Sequence, residues 1–111
     1  MRITCNQRKR AATLRERGLD MKRAGEVFAG LHFTRVDDRA DYGEPRLVTA
    51  GWLDSRMVVF VWTPRGSARR IISMRHCHER ESRQIRAALL REAFLAQADF
   101  DEAPDEAAPA E

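Results

Sequence analysis

The spacing of apolar residues changes period twice along the chain, dividing it into helical, then strand, then helical segments. Residues 6–17 read as a short first helix: Asn6 suits the N-cap, Ala11, Ala12 and Leu14 supply apolar positions, and Gly18 stands where a left-handed residue closes a helix. A second helix follows at once, with Asp20 as its cap, Met21, Ala24, Val27, Phe28 and Leu31 at helical spacing, and Gly30 at its end. The two predict a helical hairpin in which each helix has one apolar face. From His32 the period becomes that of strands, first over His32–Val36, then a polar loop Asp37–Pro45 in which Gly43 and Pro45 act as breakers. Arg46–Leu53 runs to the turn Asp54-Ser55-Arg56. Met57–Thr63, apolar on both faces, is the most buried strand expected, and the turn Pro64–Ser67 leads into a last strand, Arg69–Arg75. These short connections predict an antiparallel meander of about four strands, because a parallel neighbour needs a crossover of a dozen or more residues. After His76 the helical period returns over about 79–97, with Ile85, Leu89 and Ala93 on one stripe and Leu90 and Phe94 widening it. The fold class is therefore α+β: an N-terminal helical hairpin, an antiparallel sheet and a C-terminal helix.

A chain of 111 residues suits one core, expected over 1–98. Residues 99–111 are rich in Ala, Pro and acid, with Phe100 the one large apolar residue, and read as a disordered acidic tail. The longest apolar run, Met57–Trp62, falls far short of the roughly 20 residues that span a bilayer, and Met1–Asn6 leads into charged residues rather than a signal-peptide core. A cytoplasmic protein without a membrane partner is expected. There, Cys5 and Cys77 read as free thiols. The net charge of +3 understates how basic the body is, because six of the 17 acids lie beyond residue 98. Removing them leaves 20 bases against 11 acids, or +9, and 18 of those bases are Arg. Arg suits planar, bidentate contact with phosphate or carboxylate, although a GC-rich genome gives the same bias. A body this basic attracts nucleic acid or an acidic partner.

Several segments, taken in order, resemble the BrnT family of toxins. They are Arg17-Gly18, Ala24–Phe28, Asp41-Tyr42-Gly43-Glu44-x-Arg46, Gly51, Val58-Val59-x-Val61-x-Thr63 with Arg65-Gly66, and most specifically Arg70-Ile71-Ile72-Ser73-Met74-Arg75 followed by Arg80-Glu81. The likeness covers residues 3 to about 86. It implies a RelE-like fold and a metal-independent endoribonuclease that needs no cofactor and stops translation. It also implies a BrnA-like antitoxin that neutralises the toxin in a 2:2 assembly and represses the shared operon, so that operator DNA is met only through the antitoxin. Family members carry Trp-Asp-x-x-Lys near the start, Lys-His-Gly closing the first helix and a Tyr about four residues after the Glu of the last helix. Here Cys5, Asn6 and Lys9, then Glu16-Arg17-Gly18, then Ile85 occupy those places. These departures open a second expectation: a catalytically weakened chain that mainly binds its antitoxin as a co-repressor.

Metal-free RNA cleavage needs a base for the 2′-hydroxyl, an acid for the leaving 5′-oxygen and cations around the developing phosphorane. Arg75 and Arg70 suit the last role. Five residues apart on a regular strand they face opposite ways, so one face holds both only with a bulge. Glu81 can serve as base, or reach back from the first turn of the last helix to its cap at His78. His76 and His78 are acid–base candidates because an imidazole titrates near neutrality. With Cys77 between them they lack the ligand spacing of zinc motifs, so no metal is expected. Lys9, Arg17, Arg46 and Arg80 are candidates for contact with RNA. Trp52 and Trp62 can stack on bases, but both lie in strands and read as core residues.

Overall fold

The computed structural model describes residues 1–92 of the chain. Five strands form one sheet: β1 (Arg2–Cys5), β2 (His32–Val36), β3 (Leu47–Leu53), β4 (Arg56–Arg65) and β5 (Ala68–His76), in the spatial order β1-β5-β4-β3-β2. Two α-helices, α1 (Gln7–Arg17) and α2 (Ala24–Ala29), separate β1 from β2, and a third, α3, starts at residue 79 and is described through 92. The four expected strands are present within a few residues of their expected bounds. A fifth, β1, precedes every helix and pairs parallel with β5 in the register Arg2↔Ala68 to Cys5↔Ile71. The expectation of a purely antiparallel, four-stranded sheet is corrected accordingly. The end of the last helix and the 99–111 tail lie outside the described residues, and no described helix is long and apolar enough to cross a membrane.

The helical hairpin is corrected too. A 3₁₀ turn, Met21–Arg23, capped by Asp20, leads into the short α2, and only this second unit buries an apolar face, through Met21, Ala24, Val27 and Phe28. Helix α1 buries no residue, and Leu14 is about half exposed. Polar contacts hold it instead. The Asn6 side chain accepts from the Arg8 and Lys9 amides, Gly18 closes the helix at φ 71°, and Arg10 donates two hydrogen bonds to Asp20 at 2.8 and 2.9 Å. Arg17 Nη1 donates to the Met74 carbonyl at 2.7 Å, which ties the end of α1 to β5.

The core fills one face of the sheet. Val58, Phe60 and Trp62 of β4 lie there with Ile71 and Met74 of β5, Leu53 of β3 and Ile3 and Cys5 of β1, all against Leu19, Met21 and α2. Phe28 meets Phe60 and Trp62 edge-on, each at 5.2 Å between ring centres. Burying large side chains of this kind stabilises by about 1.5–3 kcal/mol each. Trp62 is thus a core residue, its indole N–H donating to Thr49 Oγ1 at 2.8 Å, while Trp52 is half-buried on the other face. At the β3–β4 turn Asp54 and Ser55 both take positive φ (51° and 68°), matching the twist of a two-residue hairpin.

The other face carries shorter apolar side chains in two cross-strand rows. Arg35, Val48, Val61 and Ser73 form one, and Phe33, Ala50, Val59 and Arg75 the other. Ile85 of α3 lies over this face, sharing a small hollow with Phe33, Val48, Ala50 and Val59.

Candidate functional site

On this second face, among Arg17 of α1, Glu81 of α3 and the strands beneath, lies a hollow of about 300 Å³. Val48, Val59 and Val61 make its apolar floor, and Arg17, Arg35, Arg39, Arg75, Ser73 and Glu81 stand around it. Arg35 and Arg75 arrive on neighbouring rows of the sheet. Arg39 comes from the β2–β3 loop, where the side chain of Asp37, buried to 1% exposure, accepts both Nε and Nη2 of Arg39 at 2.8 Å and the Tyr42 hydroxyl at 3.4 Å. The Arg39 guanidinium holds that carboxyl down at about 2. The loop stays in place because its one buried charge is satisfied from within the loop.

Arg75 and Glu81 form a two-point ion pair at 2.8 and 2.9 Å. Glu81 Oε1 also accepts the His78 amide at 3.1 Å, closing the start of α3, and Arg75 Nη1 donates to the His76 carbonyl at 3.2 Å. Hydrogen bonding from Arg75, against the opposing effect of burial, draws the Glu81 carboxyl down to about 2 and raises the Arg75 pKa. A carboxylate this acidic takes up a proton poorly near neutrality. Both its oxygens are engaged. The geometry of Glu81 is that of a clamp on Arg75 and a cap on α3.

Arg70 shares a face with Arg75 after all. The β4–β5 register slips at Val61/Trp62: Val61 pairs with Ser73 and Trp62 with Ile71, leaving Ile72 as the extra residue of a bulge. Arg70 therefore lies opposite Thr63, and Arg75 opposite Val59, positions of the same parity on β4. The two do not share a hollow. Arg70 lines a second one of about 230 Å³ with Asn6, Lys9, Glu44, Arg46 and Arg65.

The histidines go elsewhere. His76 pairs with Val58, on the core face and so across the sheet from Arg75, and its Nδ1 is buried without a hydrogen-bond partner. His78 is exposed at the cap of α3, and Arg80, also exposed, lines none of these hollows. Of the nine candidate residues, the structure gathers Arg17, Arg75 and Glu81 at the first hollow and Lys9, Arg46 and Arg70 at the second. Sequence reasoning missed Arg35, Arg39, Ser73 and Arg65. Arg35 was the most accessible of these, since it alternates with Phe33 on a strand whose register decides what it faces. Among the described residues no three His, Cys, Asp or Glu side chains gather as a metal site would require.

An arginine-walled hollow over a sheet, with its one carboxylate already paired, has the chemistry to hold an anion. Residues 6–81 match the family model for BrnT, described as the ribonuclease toxin of a type II toxin-antitoxin system. The chain belongs to that family, whose systems pair each toxin with an antitoxin. No curated protein matches it.

Proposed function

We propose that this chain is a metal-independent endoribonuclease which seats the scissile phosphate of RNA in the first hollow. The observation that carries the reading is the convergence of Arg17, Arg35, Arg39 and Arg75 on one cavity with an apolar floor. In the reaction the 2′-oxygen bonds to phosphorus, the bond to the 5′-oxygen breaks, and extra negative charge gathers on the non-bridging oxygens in between. Preorganised guanidinium groups aimed at that charge stabilise the transition state more than the ground state. The hollow supplies cations and position, and the proton from the 2′-hydroxyl and the proton to the 5′-oxygen exchange with water. The products are a 2′,3′-cyclic phosphate and a 5′-hydroxyl. Acting in the cytoplasm, such cleavage stops translation. A BrnA-like antitoxin neutralises the toxin in a 2:2 assembly and brings it to operator DNA, and the toxin unit ends near residue 98.

Purified protein incubated with RNA tests this. Fragments with those ends are expected, and Arg75→Ala is expected to slow cleavage by about 10²–10³-fold, the usual effect of removing one transition-state donor. Intact RNA with folded protein, or cleavage indifferent to Arg17→Ala and Arg75→Ala together, overturns it. One observation favours a second reading: the walls of the hollow are arginines, Ser73 and a paired glutamate, with His76 and His78 outside. A chain that only binds its antitoxin and co-represses the operon fits that wall. Induction that leaves growth unaffected, while deletion of the chain relieves repression, assigns the protein to it.

A further inference from the structure

The second hollow is not absorbed by the chemistry above. Lys9, Arg46, Arg65 and Arg70 surround it with Glu44 as the one acid. Glu44 is shared, with Oε1 at 3.1 Å from Arg65 and Oε2 at 3.7 Å from Arg46. Arg46 lies 4.2 Å over the Tyr42 ring, which fixes its plane, and its Nε is buried without a hydrogen-bond partner. Four cations around one carboxylate leave a net positive cavity, and one of them holds an unused donor. A third hollow of about 240 Å³ joins this site to the first, sharing Lys9 with one and Arg17 and Ser73 with the other.

Two rulers give the separation. Arg70 and Arg75 lie opposite residues four apart on β4, about 13 Å at the rise of a strand. Lys9 and Arg17 lie eight residues apart on α1, about 12 Å at the rise of a helix. The helix and the strand therefore run the same distance between the same two cavities. The bulge at Ile72 makes this possible, because without it Arg70 turns to the core face.

Resting on the ribonuclease reading, we infer that the second hollow binds a phosphodiester of the same RNA strand, upstream or downstream of the scissile one. The substrate class is then a single strand several nucleotides long, gripped at two points along the flank of α1. Glu44 is the counterion that the phosphate displaces from Arg65. A positively charged groove that tracks the backbone is the way proteins hold single strands.

The test measures binding of 2′-O-methyl oligonucleotides, which cannot be cleaved, as a dinucleotide and as a hexanucleotide across a range of salt. Wild-type protein is expected to bind the hexanucleotide more tightly. In the Arg65→Ala/Arg70→Ala double variant that gain is expected to shrink about tenfold, with the slope of log K against log salt shallower by about 0.7, the value of one phosphate on a single strand. Arg56→Ala, at the exposed start of β4, is the control and is expected to match wild type. Arg65→Lys/Arg70→Lys, which keeps the charge, guards against misfolding and is expected to recover most of the gain. A double alanine variant with an unchanged length dependence and salt slope overturns the inference while the ribonuclease reading stands. Loss of polyglutamate binding with oligonucleotide binding intact also overturns it, and assigns the hollow to an acidic protein. Wild-type protein that neither binds nor cleaves RNA removes both.

Discussion

Replacing Glu81 by glutamine separates a structural carboxylate from a catalytic one. The substitution keeps the shape and removes the charge paired with Arg75 at 2.8 and 2.9 Å. Lowering the carboxyl from an ordinary 4.5 to about 2 sets a ceiling near 3.4 kcal/mol, at about 1.36 kcal/mol per tenfold change in proton affinity. The two side chains keep 31% and 42% of their surface in water, so screening reduces the expected loss to about 1–2 kcal/mol. For a domain of this size that is about 5–10 °C in Tm. The sign with pH follows from the depressed value. The folded state prefers the ionised form, so the contribution is complete above the unfolded value near 4.5 and is lost as pH falls toward 2. Urea unfolding of both proteins at pH 7, 5, 4 and 3 is expected to show the difference intact at the first two and about halved at pH 3. A difference that stays flat down to pH 3, or one below about 0.3 kcal/mol at pH 7, refutes the clamp. A fall of 10²-fold or more in RNA cleavage with stability unchanged points instead to a general base.

Two further outcomes follow from the packing. A Cβ added at Gly51 falls 2.7 Å from Val27 Cγ1 and 3.2 Å from both His32 Cβ and the Leu31 carbonyl oxygen, so Gly51→Ala must push α2 and the start of β2 off β3. A loss of about 1–3 kcal/mol is expected in chemical unfolding, and an unchanged midpoint contradicts that close approach. Burial pushes the Cys77 thiol up to about 11, so at pH 8 it is expected to react with a thiol reagent far more slowly than after unfolding in urea. Equal rates in the two states contradict it.

Much of the architecture was legible because it is local. Asn6, Gly18 and Asp20 mark helix ends by chemistry that acts within a few residues, and each does so where expected. The alternation of His32–Val36 and the apolar run Met57–Thr63 report strands through period alone. Strand β1 escaped because its evidence is distant. Four residues alternate, with Ile3 and Cys5 pointing to the core, but the partner that makes them a strand lies across 66 residues in β5. Helix α1 misled in the other direction. Ala11, Ala12 and Leu14 resemble a buried stripe, yet the helix buries no residue and is tied to its neighbours by Arg10 and Arg17.

By itself the sequence determined the class of the fold, the family to which the chain belongs and the basic character of its body, since periodicity, motif and charge are properties of the chain read in order. Which arginines meet was decided only in the tertiary structure. A one-residue bulge at Ile72 sets whether Arg70 stands with Arg75 or across the sheet from it, and strand pairing sets Arg35 beside the same valines. The same pairing sends His76, next to Arg75 in sequence, to the opposite face. Register acts over a whole sheet with a period of two, so one inserted residue reassigns every side chain beyond it, and no local signal records the insertion.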